Sequence, residues 1–481
     1  MFKKISNSKI LIIVVPSTYV DSQLVPTGIF PITTLKLISY LKTLNNKVEY
    51  IDMRSTKYSH FWKYKPAGLR GKIMLPFMVR GKKTSYLIKS LKEIDFYPDT
   101  VILELYSTWN WYSYDIDLAE TYINIIKKFF PLARYVLGGD SFRYFSNEIF
   151  KTNYEILSGN LYYSIFSQAP YFKIMDKWEY GVFQLMLGCN NNCTFCFNNM
   201  NTPFYEEPEK VINYMKNFYK KNKVKTFWCW DPNVLIDKNK FLNFIELFKE
   251  ANFKSNISFG RGFQPNILNE EDIKKIKDVS FKVTAIPIEN ATSNIKKYQK
   301  SYNVISTIKF INMLKQYKIN TRNFMATFML GYPDDDFNEI MRSFLIGSYL
   351  NLEPSPFPIF LAPFQRDMQK YYSLIKHKKL EELHGHLFPL IEDKNVIRYY
   401  NLVRFFKKCE KFKDIPKYAY MIDKELRDIL MKELEIIPLF VKLCQDVKNS
   451  TMEELIKIEK EVTRKRISNA KRYKNKYINF T

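Results

Sequence analysis

The sequence predicts an α/β protein: a doubly wound, Rossmann-like N-terminal domain, then a partial (β/α)6 TIM-like barrel, then a C-terminal helical region. Three observations carry this reading. Short, near-continuous apolar runs alternate with helix-period stretches up to about residue 370, as strands covered on both faces do. The alternation runs in two series, the second beginning at Val182, and beyond about residue 370 only helical patterns with mixed charge remain.

In the first series, Ile10-Leu11-Ile12-Ile13-Val14-Val15 marks a strand over 9–16. Further strands are expected at 47–52, 100–106, 134–140 and 154–158, with helices near 33–45, 83–94 and 115–129. Strand and helix in strict turn make a doubly wound domain, residues 1–165. The second series has six β/α units, with strands near 182–187, 224–231, 255–261, 281–288, 321–330 and 358–364. Its helix 304–317 has Asn303 as a candidate N-cap and Val304, Ile308, Ile311 and Leu314 along one face. Six units suggest an open parallel barrel over 180–370, with its site at the C-terminal strand ends. Residues 371–481, ending in the basic Arg464-to-Lys476 stretch, read as a helical cap over the barrel mouth or an interaction surface.

A chain of 481 residues is too long for one core, and 14 Gly and 21 Pro are too few for a linker-rich one. The formal charge of +25 invites nucleic acid, acidic lipid or an anionic substrate. The basic residues, however, are mostly Lys scattered among Asn, Ile, Tyr and Phe, which is equally a compositional bias. No apolar run approaches the ~20 residues that cross a bilayer. Met1-Phe2-Lys3-Lys4 leads into a strand rather than a secretory signal, so a cytoplasmic protein is expected. Six Cys, three of them within eight residues, suit a reducing compartment and a metal site better than a disulfide framework.

Those three are Cys189, Cys193 and Cys196, in Cys-x3-Cys-x2-Cys order, directly after the first barrel strand and Gly188. A four-iron cluster ordinarily takes four thiolates. Three from one compact loop, with no fourth nearby, leave one iron open for a substrate or cofactor. Zinc is the competing metal, but it prefers four ligands, and His60, His377, His384 and His386 are all distant in sequence.

With Phe195 before the third Cys, the loop resembles the signature of the radical S-adenosylmethionine (radical SAM) superfamily. The resemblance extends over roughly residues 5 to 370 and implies an oxygen-sensitive [4Fe-4S] cluster whose open iron is chelated by S-adenosylmethionine. It also implies reductive cleavage to a 5′-deoxyadenosyl radical, fed by an electron donor such as flavodoxin or ferredoxin. Phe227 to Asn233 resembles the aromatic-Asp stretch of relatives with a cobalamin-type domain, and Asp231 would bind the ammonium of S-adenosylmethionine. Ser258-Phe259-Gly260-Arg261 resembles a position where an Arg meets the cofactor carboxylate. Ile286-Pro287-Ile288-Glu289-Asn290 resembles the family's Gly-Ile-Glu-Ser turn, with Pro for Gly and Asn for Ser, and Lys300 follows at the expected distance. Leu330-Gly331-Tyr332-Pro333 matches a Gly-x-Pro turn, where backbone at Leu330 would meet adenine.

The first domain, from Pro26 to Asp52 and again at Val136-Leu137-Gly138-Gly139-Asp140, resembles the cobalamin (B12)-binding-type domain that precedes many such barrels. Cobalamin is therefore a second cofactor to test, although the Asp-x-His-x-x-Gly motif, the Gly-Glu ending near Ser158-Gly159-Asn160 and the Pro-Gly-Thr turn are missing. Trp109, Trp111 and Tyr112 could stack on a corrin or pack among themselves. Cys229 could face substrate or simply be buried. The expected function is C–H modification of a small molecule or peptide, including cobalamin-dependent methylation. RNA modification is an alternative, without a separate RNA-binding module to support it. A non-catalytic Fe–S electron-transfer or sensor protein is another.

Overall fold

A computed structural model describes residues 6–20, 31–54, 60–70, 73–105, 112–139, 153–157, 159–174, 178–196, 203–260, 262–291, 297–359, 365–376, 393–409, 411–446 and 457. The N-terminal unit contains β1 (Lys9–Val14), β2 (Ser17–Val20), β3 (Lys47–Asp52), β4 (His60–Arg70), β5 (Ile73–Gly81), β6 (Thr100–Glu104), β7 (Arg134–Gly138) and β8 (Glu155–Ile156). Its helices are α1 (Ile32–Thr43), α2 (Thr84–Lys92), α3 (Tyr112–Ile126) and α4 (Gly159–Ser164).

Five strands form one all-parallel sheet in the order β3-β1-β6-β7-β8. Alternation along β1 explains the continuous apolar run: Ile10 and Ile12 pack with Leu35 and Ile38 of α1, while Leu11 and Ile13 pack with Tyr122 and Ile123 of α3. Strand order reverses between β1 and β6, the switch point at whose C-terminal edge such sheets bind ligands. One element was not anticipated. Strands β2, β5 and β4 pair antiparallel in a separate three-stranded sheet, in a region where the sequence predicts no strand.

The second unit holds β9 (Gly181–Phe183), β10 (Met186–Leu187), β11 (Phe204–Tyr205), β12 (Thr226–Cys229), β13 (Asn256–Phe259), β14 (Phe281–Val283), β15 (Ile286–Glu289), β16 (Met325–Leu330) and β17 (Glu353–Pro358). Helices α5 (Pro208–Asn222), α6 (Lys238–Glu250), α7 (Glu270–Ile276), α8 (Val304–Gln316) and α9 (Phe337–Tyr349) intervene. The barrel strands run parallel in two arcs, β9-β12-β13-β14 and β15-β16-β17. The expected strand 281–288 is thus one unit broken between Val283 and Ile286. The sixth strand lies earlier than predicted, at 353–358 rather than 358–364. Its three prolines cannot donate to a ladder, and as an arc edge β17 has one side free of that demand. Asn303 caps α8 as expected, accepting the Ser306 N–H at 3.2 Å.

The C-terminal part comprises α10 (Arg366–Lys370), α11 (Tyr372–Ile375), α12 (Asp393–Lys408), a 3-10 segment at Phe412–Met421 and α13 (Lys424–Asp446). Helix α13 packs on α8 and α9 of the outer layer. Arg342 pairs there with the buried Glu433 at 3.0 Å, and Phe344 stacks on Phe406 of α12. Helices α12 and α13 therefore brace the outside of the barrel, while α10 lies against the cysteine loop, the Asp367 N–H donating to the Thr194 carbonyl. The basic stretch 464–476 lies outside the described residues. Among the described residues no helix is long and apolar enough to cross a membrane.

Candidate functional site

The first barrel strand is interrupted at Gln184-Leu185, and the interruption is held from below by one carboxylate. Asp231, just past β12, accepts the Leu185 N–H at 3.0 and 3.1 Å and the Met186 N–H at 3.3 Å. Its burial pushes its pKa up to about 7, against the pull of those two backbone donors. Gly188, at φ +75°, then turns the chain into the cysteine loop.

That loop is clamped from two sides. The Thr194 N–H donates to the Tyr298 carbonyl at 3.2 Å, and the Asp367 N–H donates to the Thr194 carbonyl at 3.2 Å. The Gln365 side chain donates to the Phe195 carbonyl at 2.6 Å, and the Phe195 ring meets Tyr298 edge-on. The result is one cavity enclosing about 1330 Å³ of empty space including its open mouth. Cys189, Cys193, Cys196 and Phe195 line it together with Glu289, the last residue of β15, and Lys300 beyond it.

Burial pushes the Cys189 and Cys193 thiols up to about 11, with the Lys300 charge acting in the opposite sense. Lys300 is itself buried, donating to Glu289 Oε1 at 2.7 Å and to the Tyr302 hydroxyl at 3.0 Å. Burial works against its ammonium, but the adjoining carboxylate outweighs this and holds its pKa above the ordinary lysine value. Glu289 adopts φ +55°, left-handed for a residue with a side chain, and its Oε2 is buried without a hydrogen-bond partner among the described residues. A strained residue with an unanswered buried acceptor in the wall of a cavity is a candidate site for a ligand donor.

The donor set fits a cluster. Three thiols from one compact loop line one cavity, and a cubane takes each thiolate at a separate corner.

Of the expected site residues, the structure brings Phe195 and Glu289 to the three cysteines. Asp231 and Leu330 do not line the cavity: the first is committed to β10, and the second is fully buried, its carbonyl taken by the Ile359 N–H at 2.8 Å. Cys229 is buried away from the cavity as well. Arg261, Trp109, Trp111 and the Tyr112 side chain lie outside the described residues. Missing from the sequence reading are Gln264 and Tyr302, both in the lining; their only signal is polar character after a barrel strand end.

Residues 183–344 match the radical SAM superfamily model. They are a radical SAM domain. Domains of this superfamily work with a [4Fe-4S] cluster and S-adenosylmethionine. The chain as a whole has the fold of superfamily members with a B12-binding-type domain. It superposes on the radical S-adenosylmethionine methyltransferase TsrM from Kitasatospora setae, a structure with cobalamin and a [4Fe-4S] cluster bound (12% identity, 77% of this chain and 75% of that one, TM-score 0.55). It also superposes on the apo cobalamin-dependent S-adenosylmethionine radical enzyme OxsB (12% identity, 99% and 82%, TM-score 0.51). No curated protein sequence matches significantly. In this chain the two units touch at their C-terminal edges, where Val14 at the end of β1 packs against Trp230 just beyond β12.

Proposed function

We propose that this radical SAM enzyme binds its [4Fe-4S] cluster through Cys189, Cys193 and Cys196 and uses S-adenosylmethionine to modify a C–H position of a small molecule or peptide. The observation that carries the reading is the meeting of these three thiols with a strained, unsatisfied Glu289 in one cavity at the C-terminal ends of parallel strands. When bound, the cluster supplies the electron that cleaves the sulfonium to a 5′-deoxyadenosyl radical.

The chain's own residues do the rest. The clamps from Tyr298, Gln365 and Asp367 fix the thiol-bearing loop before any metal arrives. Glu289 Oε2 is free to accept a hydrogen bond from S-adenosylmethionine, and Lys300 holds the other oxygen so that the carboxylate stays oriented. Phe195 shields the cavity with its ring 5.4 Å from the Lys300 ammonium. Asp231 acts at one remove, by holding the strand that delivers the loop.

Anaerobic reconstitution with iron, sulfide, a reductant and S-adenosylmethionine tests this. The expected product is 5′-deoxyadenosine, lost in Cys193→Ala; no product from the wild type refutes the reading.

Cobalamin-assisted methylation is a second reading, favoured by the Val14–Trp230 contact, which sets the switch-point edge of the first sheet beside the barrel mouth. Anaerobic titration with hydroxocobalamin tests it. A bound corrin and S-adenosylhomocysteine among the products are expected, and absence of both leaves hydrogen abstraction alone.

A further inference from the structure

A neutral network ties the cysteine loop to the opposite wall of the cavity, and it converges on one side chain. Gln264, 7% exposed, uses every bond its carboxamide can make. Its Oε1 accepts from Asn191 Nδ2 at 3.1 Å and from Asn233 Nδ2 at 2.9 Å. Its Nε2 donates to Asn266 Oδ1 at 3.0 Å and to Ser301 Oγ at 3.0 Å. Ser301 closes the ring by donating to Asn191 Oδ1 at 3.4 Å. Asn191 is thereby gripped at both ends of its amide. Its backbone N–H, in turn, donates to Cys189 Sγ at 3.5 Å.

We propose that Gln264 is a positioning residue that sets the reduction potential of the cluster, by fixing Asn191 so that its N–H stays aimed at the Cys189 sulfur. This rests on the cluster assignment above. Hydrogen bonds to ligand sulfurs are a main determinant of cluster potential. An N–H dipole on a thiolate stabilises the more negative, reduced cluster and raises its potential. Releasing Asn191 lets that donor drift, and the potential falls.

The test is an EPR-monitored redox titration of the reconstituted wild type, Gln264→Met and Ser301→Ala, each assayed for iron and sulfide. Met fills the space of Gln without its acceptor or donors. Ser301→Ala removes one of the two grips on Asn191 at an exposed position and so reports even where Gln264→Met does not fold. With full cluster content, Gln264→Met is expected to lower the reduced-to-oxidised ratio at fixed potential about tenfold, which for a one-electron couple is about 59 mV. Ser301→Ala is expected to move it less, in the same direction. Fully loaded variants with unchanged or raised potential overturn the inference alone. A wild type that takes up no iron and sulfide overturns the cluster assignment, and this inference with it.

Discussion

Asp231 accepts the backbone N–H of Leu185 with both carboxylate oxygens, at 3.0 and 3.1 Å, across 46 residues of sequence. Asp231 is 2% exposed, so the bond pair forms where water cannot substitute for it. It joins the interrupted first barrel strand to the end of the second, and the cysteine loop begins four residues after Leu185.

Asp231→Ala leaves the Leu185 and Met186 donors buried and unanswered, an expected loss of about 1–3 kcal/mol in denaturant unfolding. The pH dependence separates charge from hydrogen bonding. Because burial lifts the folded-state pKa to about 7 from an ordinary 3.8, the native state holds this proton more tightly than the unfolded chain. Stability from this group is therefore greatest below about pH 4 and declines as pH rises through 7. Asp231→Asn cannot ionise, so its stability relative to wild type should improve from pH 5 to pH 8. A gap that is constant with pH contradicts this account.

The cysteine thiols carry their own pH signature. With pKa values near 11, Cys189 and Cys193 are almost wholly protonated at neutral pH until metal displaces the proton. Iodoacetamide labelling of the metal-free protein at pH 8, read by mass spectrometry, should be slower at these two positions than in urea-unfolded chain by roughly a hundredfold. Cluster assembly, which releases protons, should accelerate between pH 7 and pH 9. Labelling at the unfolded rate in the folded protein counts against the buried loop.

What the sequence made legible was local. The run Ile10 to Val15 reads as a strand because both its faces are covered, and the cysteine loop reads from spacing alone. The ribbon of β4 and β5 escaped because Pro66, Gly68 and two register shifts break its period-2 pattern. The sixth barrel strand escaped because its prolines argue against a strand that only an edge position permits. Asp231 reads in the sequence as a contact to S-adenosylmethionine, and nothing there points to its backbone partners, which lie 45 and 46 residues away. Gln264 is a surface-type amide by sequence, and only bonds spanning 31, 37 and 73 residues make it a hub.

Gly139 tests the first domain independently of the barrel. It follows β7 at φ +113°, and a Cβ there would lie 2.2 Å from the Leu105 carbonyl oxygen. Gly139→Ala therefore meets an unfavourable backbone conformation, about 1–3 kcal/mol, together with a backbone collision that no side-chain rotation relieves. A lower denaturation midpoint is expected, together with weakened hydroxocobalamin binding if the corrin sits at this edge. Wild-type stability in this variant contradicts the close approach of β7 and the residue after β6.

The Lys300–Glu289 pair gives the sharpest test of the cavity wall, because its two charges have side chains only 5% and 8% exposed and depend on each other. Lys300→Met removes the partner of a buried carboxylate that already lacks one hydrogen bond, an expected loss of about 3–5 kcal/mol. Glu289→Gln removes the countercharge and leaves a buried ammonium with only neutral acceptors, the introduced amide oxygen and the Tyr302 hydroxyl, and its loss should be of similar order. The double variant buries no net charge, so it should lose much less than the sum of the two. A double-mutant cycle from urea unfolding measures this coupling, expected to be strongly favourable. Calorimetric titration with S-adenosylmethionine then separates structure from recognition: the double variant, though restabilised, should bind more weakly, since a neutral amide replaces the carboxylate in the cavity wall. Coupling near zero would mean that water reaches the pair and that the two charges do not depend on each other.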